Sequence, residues 1–495
     1  MSNPEIPSSV PPGAVPRELS EAAAVPQLGL LTMLRLGMFN MGLGIMSLLT
    51  LGVLNRVMID ELRVPALVAA GAIAVHQFMA PARVWFGQLS DTRPLLGHHR
   101  SGYIWLGIIS MAVTAFLSVQ VVWRLAASIA ETGWQWSLTN IFWVGLLALM
   151  FALYGLALSS TSTPYTALLV DVSDEQTQSR LVGIGWSMLM VGIIAGVIIT
   201  VKVLDSLSDV PTLAQIQSSI NRLFIIAPAI VCGLAIFSTV GIEKKYSHLE
   251  QRSRAANRED QITLGRALRI LTASRQTGLF FCFLLVLSLS LFMQDAVLEP
   301  YGGQIFGMKI AETTQLNAYF GLGTLLGIIA AGFLLVPRLG KKRTVKLGCS
   351  AAAGCLVLLT LTGLTAQPPL LMGSVGLFGL AAGVLTTGSI VLMLDLTAAE
   401  TAGTFIGAWG LAQAMARGGA TLLGGGLLTL GKRGMALVTV GPIPEEQQLP
   451  AYALVFLTQA VGMIIAIALL SRVNIREFQL NAKAAITAAL ESDLD

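Results

Sequence analysis

Apolar residues along this chain gather into runs of about twenty, the length a helix needs to cross the hydrocarbon core of a bilayer. Six runs come first, at 36–59, 64–86, 103–122, 141–159, 181–204 and 223–242. A hydrophilic stretch at 243–276 follows. Six more runs come after it, at 278–298, 316–336, 345–364, 370–394, 405–430 and 451–470. This pattern predicts an all-α polytopic membrane protein with twelve transmembrane helices, numbered here 1 to 12 in chain order. The expected division is a tail with a short surface helix (1–35, the helix at 28–36), a first six-helix half (36–242) and a central loop (243–276). A second six-helix half (277–471) and a C-terminal tail (472–495) complete it. Residues 1–31 are rich in Pro, Ser and Ala, with little basic charge and no long apolar run, so they do not read as a secretory signal.

Composition agrees with a lipid-embedded chain. Hydrophobic residues make up 54% and charged residues 12%, about half the charge that a soluble surface of this size requires. The net charge is +4, and the basic residues lie between apolar runs, which gives no reason to expect nucleic-acid binding. With both termini on the cytoplasmic side, that side carries 22 of the 31 Lys and Arg residues. The opposite side carries 8 (Arg56, Arg63, Arg124, Lys202, Arg222, Lys309, Lys432 and Arg433), and one, Arg417, lies inside a span. The positive-inside rule therefore places both termini in the cytoplasm. Cys232, Cys282, Cys349 and Cys355 stand singly in apolar stretches without ligand-like spacing, and read as small hydrophobes.

Two passages recur between the halves. Asn55-Arg56-Val57-Met58-Ile59-Asp60 closes helix 1, and Gln294-Asp295-Ala296-Val297-Leu298-Glu299 closes helix 7, offset by 239 positions. Asp171, Glu175, Arg180 and Gly183 after helix 4 correspond to Asp395, Glu400, Thr404 and Gly407 after helix 10, twelve residues from Asp to Gly each time. Both matches fall at equivalent places in a six-plus-six arrangement, as in two parallel repeats about an axis along the membrane normal. Small residues four apart, Gly192/Gly196, Gly323/Gly327, Gly379/Gly383 and Gly403/Gly407, suit closely packed helices.

The loop after helix 2, with Gly87, Asp91, Gly97 and Arg100, resembles the loop signature of the major facilitator superfamily, with about three extra residues near Arg93. Its helix 8 counterpart keeps the basic end but has Val336 in place of the Asp. That resemblance implies a cytoplasmic latch between the halves, built from Gly87, Asp91, Arg100, Asp171, Glu175 and Arg180, with Asp91 near the start of helix 11. An anion there would meet unpaired N–H groups. A topogenic basic loop with a tight Gly turn is the plainer alternative.

Ionisable groups inside a membrane are costly and call for a partner or a task. His76 and Arg83 lie seven apart on helix 2. Arg83 is near enough to a helix end to snorkel. His76 reads as a hydrogen-bonded core residue, a proton-linked group or an axial ligand for the magnesium of a chlorin, and Asn40 is a weaker candidate of the same kind. Arg417 stands well inside helix 11, near Gln413, which suggests a functional or inter-half pairing role. At the outer end of helix 7, Asp295 and Glu299 share a face at i,i+4, where like charges repel. Arg56, with Asp60 as its own i,i+4 partner, is the expected counter-charge, closing a gate by bridging to Asp295 or Glu299. A solvated helix end is the alternative.

Three segments carry a closer resemblance: Arg35 to Gly42, Leu54 to Glu61, and Ala80 to Gly87, joined by Phe292-Met293-Gln294-Asp295 through Glu299-Pro300-Tyr301-Gly302-Gly303. They are similar to the PucC/LhaA family, the bacteriochlorophyll-delivery branch of the major facilitator superfamily. The likeness spans roughly 28–470, and the tail from Arg472 is more similar to cyanobacterial members. The resemblance implies assembly of light-harvesting or other chlorophyll-binding complexes, with chlorophyll or bacteriochlorophyll as cargo. Antenna proteins, pigment-biosynthesis enzymes and the lipid bilayer are the implied partners, and the implied location is the plasma, intracytoplasmic or thylakoid membrane of a phototroph. A proton-coupled transporter of a small solute, using His76, Arg417, Asp295 and Glu299, is the second reading, and a non-transporting scaffold the third. The sequence has no Walker loop, no metal-ligand spacing and no nucleophile beside a base, so no enzyme is expected.

Overall fold

The structure is a computed structural model that describes residues 28–173, 175–205, 212–246, 275–396, 402–438 and 445–474. Ten helices among the described residues are long and apolar enough to cross a membrane. Two of the twelve expected runs differ from these. Helix 2 is broken into Ala66–Phe78 and Ala82–Thr92. Pro81 causes the break, because it has no N–H to donate and disfavours helical geometry at Ala80. Helix 11, Ala402–Val438, is long enough but carries Arg417 and many glycines.

The short surface helix expected at 28–36 does not stand alone. One continuous helix runs Leu30–Glu61, since nothing between Leu30 and Leu36 breaks it. Its hydrogen bonding widens to π geometry over Leu48–Leu54 and Val57–Glu61, a form that often marks functional segments. Helices 3 and 4, Ser101–Thr132 and Leu138–Asp171, exceed the expected runs. At 1.5 Å per residue each reaches about 50 Å, well beyond a hydrocarbon core of about 30 Å.

Helix packing repeats with an offset of six. Helix 1 packs on helices 5 (Glu175–Leu204) and 6 (Leu213–Thr239), as helix 7 (Arg275–Phe292) packs on helices 11 and 12 (Leu449–Arg472). Helix 4 receives helices 2 and 3, as helix 10 (Pro368–Leu396) receives helices 8 (Ile310–Leu339) and 9 (Lys341–Thr362). Helices 8 and 10 cross through two of the predicted small-residue pairs. A β-carbon at Gly323 or Gly327 would strike the backbone of helix 10, and one at Gly379 or Gly383 would strike that of helix 8.

The halves meet where helix 2 lies along helix 11, helix 5 along helix 8, and the end of helix 1 against the end of helix 7. The end of the bundle holding Leu30 and Arg472 is termed the near end, and the opposite one the far end. Asn55, Arg56, Asp60 and Leu67 make their cross-half hydrogen bonds at the far end.

Candidate functional site

The far-end contact grows from the repeated hexapeptides. Helix 7 stops at Phe292, passes through a 3₁₀ turn over Met293–Ala296 and resumes as Leu298–Phe306. That break exposes the Ala296 carbonyl, which accepts a 2.8 Å hydrogen bond from Asn55 Nδ2 of helix 1. Arg56, only 4% exposed, donates from Nε to Asp60 at 3.1 Å, from Nη1 to Thr313 Oγ1 at 2.8 Å and from Nη2 to the Met308 carbonyl at 2.7 Å. Gly303 leaves room for this pair, because a β-carbon there would run into both Asp60 and Arg56.

Asp60 continues the network. Its Oδ1 accepts from Gln304 Nε2 at 2.8 Å. Gln304 Oε1 in turn accepts from Lys432 Nζ at 2.7 Å and from the Tyr452 hydroxyl at 2.8 Å. Five helices of the two halves are thereby tied at one level. The bridge expected from Arg56 to Asp295 or Glu299 is not formed, because the nearer carbonyl of Met308 and hydroxyl of Thr313 take its donors. Glu299 is 3% exposed and instead accepts from Asn317 Nδ2 at 2.5 Å, with Oε2 unpartnered. It faces Gly52 of helix 1, where a β-carbon would occupy the space of its carboxylate.

Asp295 belongs to a second cluster nearer the middle. Arg417 Nη2 pairs with Asp295 Oδ2 at 2.9 Å, and its guanidinium lies 4.5 Å from the Phe292 ring centroid. This ion pair joins helices 7 and 11 within the second half, so of the two expected roles of Arg417, functional or inter-half pairing, the pairing is not across the halves. Its neighbour Gly418 does face helix 2, where a β-carbon would meet Gln77 Cβ at 3.0 Å. Gln413 lies half-buried one turn before Arg417.

His76 sits at the end of the first helix 2 segment. Its Nδ1 is 2.5 Å from the Ile73 carbonyl and its Nε2 is 2.8 Å from Gln77 Nε2, so Nδ1 donates and Nε2 accepts. Tyr154 packs edge-on at 5.7 Å between ring centroids. Both ring nitrogens are engaged, which leaves no free lone pair for a chlorin magnesium in this arrangement. Arg83 lies beyond the Pro81 break, so the two residues do not share one continuous helix face. Its Nε is buried without a partner. Asn40 lies against Gly185 of helix 5 within the first half.

At the near end, Arg100 gathers the loop residues. It pairs with Asp171 at 2.8 Å and Asp91 at 2.6 Å, and donates to Ser90 Oγ at 2.7 Å. Burial works against its charge, but the Asp171 and Asp91 carboxylates outweigh that and raise its pKa above the ordinary value. Glu243 caps the start of helix 3 by accepting the N–H groups of His99, Arg100 and Ser101 at 2.7, 3.0 and 2.7 Å. Charge-assisted bonds at a helix N-terminus satisfy its orphan donors. These contacts lie within the first half. Gly87 lies inside a helix rather than at a tight turn. The turn falls at Leu96 and Gly97, both with positive φ, and Gly97 is the residue suited to it. Arg180 is exposed and borders a cavity of about 540 Å³ between the starts of helices 1 and 5. The side chain of Glu175, the loop at 247–274, residues 397–401 and the side chains of Asp395, Thr404 and Gly407 lie outside the described residues.

Sequence reasoning missed Gln304, Thr313, Asn317 and Tyr452 as members of the far-end network. Each is uncharged, so none stood out beside the charged residues.

Comparison with known proteins matches residues 53–478 to a family model described as PUCC protein. Protein PucC of Rhodobacter capsulatus is 29% identical over 453 residues, covering 88% of this chain and 90% of its own length. A second Rhodobacter capsulatus protein, named as the bacteriochlorophyll synthase 44.5 kDa chain, is 28% identical over 448 residues, covering 89% and 94%. Among solved structures, a mutant of the nucleoside transporter NupG superimposes with a TM-score of 0.63 at 14% identity, over 89% of this chain and 99% of that one. The fold is that of the major facilitator superfamily.

Proposed function

This chain belongs to the PUCC protein family, and from that premise we propose that it delivers a (bacterio)chlorophyll-type pigment to, or assembles it into, light-harvesting or other chlorophyll-binding complexes. The family match over most of the chain is the observation that carries this reading. The name of one relative refers to bacteriochlorophyll, which supports a cargo of that chemistry. No catalytic step is proposed for this chain.

The geometry is compatible with such a role. At the far end the Arg56–Asp60–Gln304 network ties the two halves together. On the distribution of Lys and Arg, the near end faces the cytoplasm. On this reading a lipid-soluble tetrapyrrole enters from the cytoplasmic side or the adjoining leaflet, opposite the tied far end. Its partners in this reading are antenna proteins and pigment-biosynthesis enzymes.

The test is disruption of the coding sequence in its phototrophic host, with complementation by the wild-type copy. The reading requires antenna absorption bands to fall while total pigment synthesis continues, and to return on complementation. Unchanged antenna content would refute it. A second reading, a proton-coupled transporter of a small solute, is favoured by one observation: Glu299 is a buried carboxylate with one unpartnered oxygen. Solute uptake by reconstituted vesicles, dependent on Glu299, is its signature.

A further inference from the structure

Helices 1 and 5 run side by side and touch through Gly44 and Gly192, where a β-carbon on either would strike the main chain of the other. Toward the near end they draw apart. At Gly37 the contact is made by side chains alone, with Ile184 and Met188 carbons 2.9 Å from where its β-carbon would stand. Beyond that point the helices leave the cavity of about 540 Å³ that Arg180 borders. Its volume falls within the roughly 300–1,000 Å³ of small-molecule sites.

The walls of this groove are apolar. Leu30, Met33 and Leu34 line it from helix 1, and Ile184 and Met188 from helix 5. The Ser187 hydroxyl donates to the Gly183 carbonyl of its own helix at 2.9 Å. Among the described residues lining the groove, Arg180 alone is charged. It shares a helix face with Ile184 and Met188, at i, i+4 and i+8, and has neither an ion-pair nor a hydrogen-bond partner among the described residues. Leu30 and Leu31 are exposed at the start of helix 1, and Trp186 on the flank of helix 5. Exposed tryptophan beside aliphatic side chains suits the level where a chain meets lipid headgroups. A small soluble anion would satisfy Arg180 but leave the apolar walls in water, which is unfavourable. A ligand with an anionic head and a hydrocarbon chain satisfies both.

We propose that the groove binds one acidic phospholipid of the near-end leaflet, with its phosphate on Arg180 and an acyl chain along Leu34, Ile184 and Met188. The guanidinium fork matches phosphate geometry, and basic pockets between transmembrane helices are known to hold anionic headgroups. The exposure of Arg180 is what a headgroup at the membrane surface requires. The seated chain fills the gap between helices 1 and 5, whatever cargo the protein handles.

The experiment uses the full chain, purified in detergent and stripped of lipid. It is titrated with phosphatidylglycerol, and separately with phosphatidylcholine of the same acyl chains, and bound lipid is counted by native mass spectrometry. One phosphatidylglycerol is expected to bind about tenfold more tightly than phosphatidylcholine, the size of one charge-assisted contact. Arg180→Gln should erase the preference, and Arg180→Lys should keep most of it. Gly183→Leu, whose side chain would enter open space, should weaken the binding of both lipids. Arg338→Gln, at another exposed near-end arginine, should leave the preference intact. Equal wild-type affinity for the two lipids overturns the site, as does an equal loss in Arg338→Gln. Competition by glycerol phosphate as strong as by the intact lipid assigns Arg180 to a soluble anion and overturns the lipid. A preference that emerges only when Glu18 and Glu21 are both changed to Gln assigns the groove to the chain's own preceding segment, and also overturns it. If Arg180→Gln does not fold, the wild-type comparison and Arg180→Lys still decide.

Discussion

Glu299 of helix 7 rests on Gly52 of helix 1, in space that a β-carbon at position 52 would fill. The relation is reciprocal, because Gly303 of helix 7 receives Asp60 and Arg56 of helix 1. Each half thus places its charged residues over a glycine of the other. Gly52→Ala should pry the far end open, since the carboxylate must move and its neighbour Asn317 with it. Spin labels at Leu213 and Lys309, exposed at the far end of opposite halves, would report the change. The expected outcome is a shift to longer distances, and an unaltered distribution would show that this packing does not hold the halves together.

The charge pairing yields a double-mutant test. Asp295 pairs with Arg417 and not with Arg56. The coupling energy between positions 295 and 417 should be on the order of 1–3 kcal/mol, and that between 56 and 295 close to zero. Thermal unfolding in detergent measures both cycles. Exchange of the charges at 56 and 295 should rescue nothing.

Arg56 itself should be among the most sensitive positions. Arg56→Gln leaves Asp60 short of a counter-ion and the Met308 carbonyl without its donor. A loss of about 3 kcal/mol is expected, as for other buried pairs broken from one side. Arg56→Gln with Asp60→Asn should recover part of that loss, because the stranded charge is gone.

At the near end, Glu243→Ala removes three hydrogen bonds from the start of helix 3 and should cost about 2 kcal/mol. Asp91→Ala should cost under about 1 kcal/mol, because the Asp91 side chain is 53% exposed and its bridge is screened by solvent. Unfolding midpoints of the two variants would rank them, and the reverse order would contradict the assignment.

Much of the architecture was legible because a membrane restricts the choices. Apolar runs of twenty residues, and a repeat of Asn55–Asp60 at Gln294–Glu299, point to paired halves, and in the structure those two segments do meet. The partners of Arg56 were not legible. A main-chain carbonyl at Met308 and a hydroxyl at Thr313 carry no charge signal, so the nearest acids drew attention instead. The break in helix 2 was signalled by Pro81, but the apolar run continues through it and hid the consequence for His76 and Arg83. Arg417 stood out by its position, yet its partner lay on helix 7 of the same half, a packing relation that spacing along the chain does not encode.

The claim that this PUCC-family chain handles a chlorophyll-type pigment is tested most directly by the absorption spectrum of the protein solubilised gently from a phototrophic host. The account predicts Soret and red bands from a chlorin at a near-stoichiometric ratio. Pigment-free protein that instead drives solute uptake in vesicles would contradict it.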